Sequence, residues 1–596
     1  MGREAYSILR RYCSRLAQQL RRLPEQQLLL LLAFFVGIGS GLAAVILKKF
    51  ISFIAGLLTG WFDTPSDQFF LILYPGMGML VSLLFVKYIL RDDIGHGVTK
   101  VLEAISKNKS KIKGHNMWSS IFASSVTISS GGSVGAEAPI VYTGAAIGSN
   151  IARALGLPYK HITILLGCGA SGAVAGIFKA PMAGILFTLE ILLFNISMTS
   201  ILPLLVSSVT ATTVSYLCLG RDASFSSVVD HFAMGNIPYY VALGIFCGFV
   251  SLYFIRMTLS LEDRIKRIGN PFARWALCAS ALGLLVFVFP PLYGEGYSSL
   301  SYLLKGQPGL IMESSVFGPF HEKGWMIPVY FALVMIFKVF AMSFTNAGGG
   351  VGGTFGPTLI IGGLAGFIMS RVVNLFDFHY LPEANFVLAG MAGLMAGVMQ
   401  APMTAIFLIA EITGGYSLLM PLIIVSTISF ATIRLFEPYS IYSKRLAKKG
   451  ELITHDSDHS VLTLLKTSDL VESDFVPVQM KASLGDLVKV VAHSKRNLFP
   501  VIDSENVYQG VISLDRIREM MFDRDQYDKV FVYNLVKDAP AVVGIDERME
   551  SVMAKFDKTG AWNLPVVDSA GIYVGFVSKS KIFSSYRERL QDVSHD

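Results

Sequence analysis

Apolar runs broken by glycine and proline fill the chain up to about Gly450, and those breaks constrain the fold more than any other feature. Runs able to span or enter a bilayer recur at Leu28–Leu47, Phe69–Leu90, Ile140–Ala154, Ile162–Ala175, Ile185–Leu205 and Tyr239–Phe254. Others follow at Trp275–Phe289, Met326–Met342, Leu359–Val372, Phe386–Met399 and Thr404–Ile433. A helix needs about 20 residues to cross the hydrocarbon core, and several of these runs are shorter. Helices that end inside lipid leave backbone groups unpaired, which is tolerated only where they line a wet, protein-enclosed cavity. The expected architecture is therefore an all-α polytopic membrane domain of broken helices, of the kind found in transport proteins. With 53% hydrophobic and 16% charged residues, a single soluble globule is excluded.

Arg3, Arg10, Arg11, Arg15, Arg21 and Arg22 precede the first run, and Lys444, Arg445, Lys448 and Lys449 follow the last. Positive charge concentrates on the cytoplasmic side, so both termini are expected there, with an even number of crossings of the cell (inner) membrane. No small-residue cleavage site precedes Leu28, so the first run reads as a retained span. The five cysteines show neither zinc-like spacing nor a disulfide framework. No metal motif or nucleophile–base arrangement suggests an enzyme.

Beyond Gly450 the long apolar runs give way to short strands such as Phe475–Val478 and helix-like stretches such as Leu484–Ala492. Leu498–Asp503 reappears as Asn563–Asp568, and Gly510–Ser513 as Gly575–Ser578, at one common offset. This duplicated α/β unit resembles a tandem pair of CBS domains at residues 471–522 and 536–590. A linker, 447–470, separates it from the membrane domain, 28–446, which follows a basic segment, 1–27. The membrane part is itself duplicated, since Ala175–Glu190 is echoed by Ala396–Glu411. Such repeats often pack with inverted topology and place an ion site where broken helices meet.

Three glycine-rich breaks precede apolar helices: Gly95–Thr99, Gly131–Pro139 and Gly348–Pro357. Free amides at a helix start favour an anion, although close helix packing calls for the same residues. These segments resemble the CLC family of chloride channels and chloride/proton exchangers, whose motifs read GSGIP, G(K/R)EGP and GxFxP. The resemblance runs from about Leu28 to Tyr442, and a CBS pair is a frequent appendage of the family.

The resemblance implies that Glu137 is the gating glutamate, whose carboxylate competes with chloride. It implies an anion path formed by His96, Gly97, Gly135, Ala136, Glu137, Ala138, Gly353, Thr354, Phe355 and Tyr442. A homodimer with one path per subunit follows from it, as does chloride as the transported ion with no required cofactor. Small anions and membrane lipid are the expected partners, and nucleic acid is not. Adenine nucleotide at the CBS pair is the regulatory expectation, with Ser513 and Asp515 holding it, although the second repeat reads Ser578-Lys-Ser-Lys581, with lysine where nucleotide-binding members often place aspartate.

Two departures qualify the chemistry. His96 replaces the usual serine, and its imidazole either donates to the anion or packs at the inner vestibule without touching it. Ile191 follows Glu190 where proton-coupled members carry a second glutamate. That favours a passive chloride channel, with chloride/proton antiport through Glu137, Glu190 and His96 as the alternative. Glu190 and Glu411 occupy equivalent repeat positions and read more naturally as helix-holding groups. A CBS-regulated divalent-cation transporter, using Glu137, Glu190 and Glu411 as ligands, is the remote alternative, because helix N-termini repel cations.

Overall fold

The computed structural model describes residues 24–59, 70–192, 198–220, 230–313, 315–320, 324–377, 379–448 and 467–585. The arginines up to Arg22, and Lys449, lie outside the described residues. The chain divides into two units, Met1–Leu452 and Ile453–Asp596.

The first unit is helical: α1 (Glu25–Thr59), α2 (Phe70–Leu84), α3 (Gly97–Lys107), α4 (Ser119–Ser129), α5 (Glu137–Ala154), α6 (Tyr159–Phe178), α7 (Pro181–Ile191), α8 (Met198–Leu219) and α9 (Ile237–Lys266). There follow α10 (Pro271–Val288), α11 (Tyr297–Leu304), α12 (Pro308–Glu313), α13 (Met326–Ala347), α14 (Phe355–Leu375), α15 (Glu383–Met399), α16 (Pro402–Ile412), α17 (Leu419–Arg434) and α18 (Ile441–Lys448). Among the described residues, eight helices are long and apolar enough to cross a membrane, and α7, α15, α16 and α17 are shorter apolar helices.

Two expected runs prove to be two helices each. Ile185–Leu205 contains the end of α7 and the start of α8, and Thr404–Ile433 breaks after Ile412, where Gly414 takes φ +75°. The buried helix α4 was missed because it is rich in serine. Several of its hydroxyls turn back onto its own carbonyls, as Thr127 Oγ1 does to Ala123 O at 2.9 Å, and the C-cap Ser130 Oγ does the same to Val126 O at 2.6 Å. Hydroxyls satisfied in this way are tolerated in a buried helix.

The duplication is visible in the packing. In α5 and α6, Cβ atoms on Gly144 and Gly169 would lie 2.1 and 1.9 Å from each other's carbonyl oxygens. Gly362 and Gly390 repeat this between α14 and α15, at 2.4 and 2.2 Å. Only glycine permits such backbone approach, which is how helices associate where apolar surface has no water to escape.

The second unit holds two three-stranded sheets. β1 (Val478–Gln479), β2 (Leu498–Ile502) and β3 (Tyr508–Ser513) form one, and β4 (Val543–Gly544), β5 (Asn563–Val567) and β6 (Tyr573–Ser578) the other. In each, the first strand pairs parallel with the second and the second antiparallel with the third, with a register shift at Val501/Ile502 and again at Val566/Val567. The helices are α19 (Leu484–His493), α20 (Leu514–Ile517), α21 (Val532–Leu535) and α22 (Met549–Thr559). The expected strand Phe475–Val478 is realised only at Val478–Gln479; Phe475 instead buries its ring against Phe576, centroids 4.5 Å apart. Glu472 bridges to Phe576 and Lys537 to Val511, so each repeat's sheet is extended by the segment that precedes the other repeat.

Candidate functional site

The site is built where α5 and α14 begin. Gly135 N donates to Gly353 O at 3.0 Å, and Gly353 N to Gly135 O at 2.7 Å, tying the two helix starts together. This corrects the expectation that both amides face an anion: they are used in holding the two breaks against each other. Ala136 N is also committed, donating to Glu295 Oε1 at 3.0 Å. Helix starts leave their first N–H groups without intrahelical acceptors, and in α5 and α14 those positions include Ala138 and Phe355, with Thr354 at the N-cap of α14.

Glu137, only 3% exposed, opens α5 and turns its carboxylate back on this junction. Oε1 accepts the Tyr297 hydroxyl, whereas Oε2 is buried without a hydrogen-bond partner. The amides of Glu137 itself and Gly356 lie against the same carboxylate. A carboxyl group is thus held where the peptide dipoles of both helix starts converge. Beside it lies a cavity of about 450 Å³, whose lining includes Lys48, Ala136, Glu137, Phe178, Glu295 and Tyr297.

Phe355 is buried and stacks on Phe178, with centroids 5.1 Å apart. The Thr354 hydroxyl donates to Tyr442 Oη at 3.3 Å, and Tyr442 is carried by α18 and buried. Thr354, Phe355, Glu137 and the start of α5 therefore converge, with Tyr442 joined through Thr354. Gly97 brings α3 to the same place: a Cβ on it would lie 2.2 Å from Ala138 O.

His96 departs from the expected arrangement. It caps α3 in the left-handed conformation, φ +49°, and its Nε2 lies 3.4 Å from Glu262 Oε2. Arg445 donates to the other oxygen of Glu262 at 2.7 Å. The imidazole nitrogen expected to donate to an anion thus faces a carboxylate contributed by α9, a partner that no local motif announced.

Glu190 stands apart from Glu137. It accepts from Met403 N at 3.0 Å, Thr404 N at 2.7 Å and Thr404 Oγ1 at 2.6 Å, capping α16. Glu411 does the same for α7, accepting from Met182 N at 3.0 Å and Ala183 N at 2.9 Å. Each carboxylate ends one helix and caps the start of its repeat counterpart, so α7 and α16 run antiparallel, as an inverted repeat requires. These two acids do not join Glu137 in one ligand cluster, which removes the geometric basis of the cation reading. In the second unit, Ser513 ends β3 and Asp515, 80% exposed in its side chain, accepts from Arg518 at 2.5 Å.

Sequence reasoning missed Glu295 and Tyr297. The available signal was an acid in Gly294-Glu-Gly-Tyr297, between two glycines and shortly after Pro290 and Pro291. It also missed Lys338, the one charge in the run Met326–Met342, fully buried and donating to Gly294 O at 3.0 Å. Charge inside an apolar span is costly and signals a purpose.

The family profile described as voltage gated chloride channel matches residues 77–434, and that of the CBS domain matches residues 468–523. Among curated relatives, the chain is 25% identical to "Chloride channel protein CLC-e" of Arabidopsis thaliana over 83% of this chain and 76% of that protein. It is 27% identical to "H(+)/Cl(-) exchange transporter ClcA" of Vibrio cholerae serotype O1, over 70% of this chain and 88% of the relative. Among solved structures, a slow cyanobacterial Cl⁻/H⁺ antiporter superposes with a TM-score of 0.61 at 22% identity, covering 72% of this chain and 98% of the other. A eukaryotic CLC transporter superposes with a TM-score of 0.59 at 16% identity, covering 93% and 97%. Both structural likenesses concern the fold.

Proposed function

The chain belongs to the voltage-gated chloride channel family, and on that premise we propose that it exchanges chloride for protons across the membrane. The carrying observation is the buried Glu137 carboxylate, held by the Tyr297 hydroxyl where the starts of α5 and α14 meet. Ionised, it occupies the place where helix dipoles attract an anion. Protonated, it loses that attraction and yields to chloride. One group thereby ties the movement of a halide to that of a proton. The Tyr442 hydroxyl, Thr354 and the first-turn amides replace part of the ion's water shell without a full positive charge, so that a bound ion can leave.

Antiport is preferred over the passive channel first expected, because the relative in Vibrio cholerae is named as an exchange transporter. Ile191 supports the channel as a second reading, since it removes the carboxylate that family exchangers place there. His96, at the N-cap of α3 and beside Glu262, is a titratable group available to take that part. The working protein is a homodimer of the cell membrane with both termini in the cytoplasm, and its CBS pair takes an adenine nucleotide at Ser513 and Asp515. A rise in melting temperature of the full chain with millimolar ATP or AMP, lost in Asp515→Ala, tests the last point.

The exchange is tested in vesicles under a chloride gradient, with chloride and pH electrodes. Uphill proton movement is expected in the native protein. Chloride flux without proton movement is expected in Glu137→Gln. Chloride flux with no proton movement in the native protein would establish the channel instead.

A further inference from the structure

Glu295 is a second carboxylate at the same cavity, and no part of the exchange described above uses it. It sits in a turn built to present it. Gly294 and Gly296 take φ +62° and +87°, which L side chains rarely adopt. Gly294 N is tied to Gly131 O at 3.0 Å, and Lys338 Nζ holds Leu292 O at 3.4 Å and Gly294 O at 3.0 Å. The turn thereby fixes two functional groups two residues apart. Glu295 takes the Ala136 amide, adjoining Glu137 in the chain, and Tyr297 donates to Glu137 itself.

The charged and titratable groups acting on Glu295 come from every neighbouring element: Glu137 from α5, Lys48 from α1 and Lys338 from α13, with Tyr297 on the same turn. Lys179, at the end of α6, acts on Lys48 in turn. Both carboxylates line the cavity with Lys48, and the buried Glu137 Oε2 lacks a donor. Two carboxylates lining one cavity repel each other, so the pair holds a shared proton more readily than either group alone.

We propose that Glu295 is the proton-loading carboxylate of this site, taking a proton from the cavity and passing it to Glu137. In the step, the O–H bond on Glu295 breaks and one forms on Glu137. Glu295 is left ionised, and Glu137 becomes neutral and releases its hold on the helix starts. Glu295 regains its proton from a hydronium ion in the cavity, which leaves water behind, and no other reactant is consumed. The proposal rests on the reading of Glu137 as the gating glutamate.

The test is chloride turnover in vesicles as a function of pH for the native protein, Glu295→Gln and Glu295→Asn. Both amides remove the charge, and Gln keeps an acceptor for Ala136 N. Without a negative neighbour Glu137 is harder to protonate, so the midpoint of activation should move to lower pH by about one unit. Proton movement per chloride should fall with it. A merely structural Glu295 would lower the amplitude and leave the midpoint in place. The native midpoint and native coupling in whichever variant is monodisperse would overturn the proposal while leaving exchange through Glu137 standing. Native protein whose chloride flux ignores pH would overturn both.

Discussion

Gly135 and Gly353 exchange two backbone hydrogen bonds and so fasten the starts of two helices that belong to different halves of the sequence. The contact leaves no space around it: a Cβ on Gly135 would lie 2.0 Å from Glu137 Oε2. Gly135→Ala is therefore expected to drive the Glu137 carboxylate from its place. Chloride turnover at neutral pH should rise by about tenfold, the effect of about 1.4 kcal/mol lost from the closed arrangement, with a flatter pH response. Turnover and pH response equal to those of the native protein would show that the carboxylate tolerates the methyl group.

Glu190 and Glu411 cap each other's helices with both carboxylate oxygens. Replacing either by Ala removes a charged acceptor from two amides, at a cost of about 2 kcal/mol. A lower melting temperature in detergent is expected for each, and a folded Glu190→Gln should keep its proton movement. Loss of proton movement at native stability would place Glu190 on the proton path instead.

Arg445 and Glu262 form a buried pair, 8% and 3% exposed, which His96 joins from the opposite oxygen. Glu262→Gln leaves a guanidinium without its counter-charge and should cost about 3 kcal/mol, read as a lower melting temperature. His96→Ser keeps the Arg445 contact and removes the titratable imidazole, so the pH profile of chloride flux should change. An unchanged profile would remove His96 from ion movement.

The CBS pair has its own acid sensitivity. The hydrogen bond from Arg496 holds Asp474 below its ordinary value of 3.8. For Glu547, burial works upward, but Lys555 and Ser551 prevail and hold it below 4.5. Groups lowered by folding add stability above their unfolded values and lose it as pH falls through the folded ones. Unfolding of this region, followed by fluorescence of Trp562 in the full chain, should be constant near neutrality and become easier below about pH 4. Asp474→Asn should weaken that acid response.

Periodicity and repetition made much legible in the amino-acid order. Breaks before Glu137 and Phe355, the echo of Ala175–Glu190 in Ala396–Glu411, and the doubled α/β unit all follow from local patterns, because helix starts, glycine breaks and strand turns are set by residues close in the chain. The partners of those residues are not. Glu295 reaches Ala136 across 159 positions, Tyr297 reaches Glu137 across 160, and Arg445 meets Glu262 across 183. Which amides stay free of other peptides was likewise beyond the sequence, since Gly135 and Gly353 look alike as free donors until the halves are packed together. Local chemistry fixed the parts that can hold an anion; only the packing of one repeat against the other decided which carboxylates stand beside it.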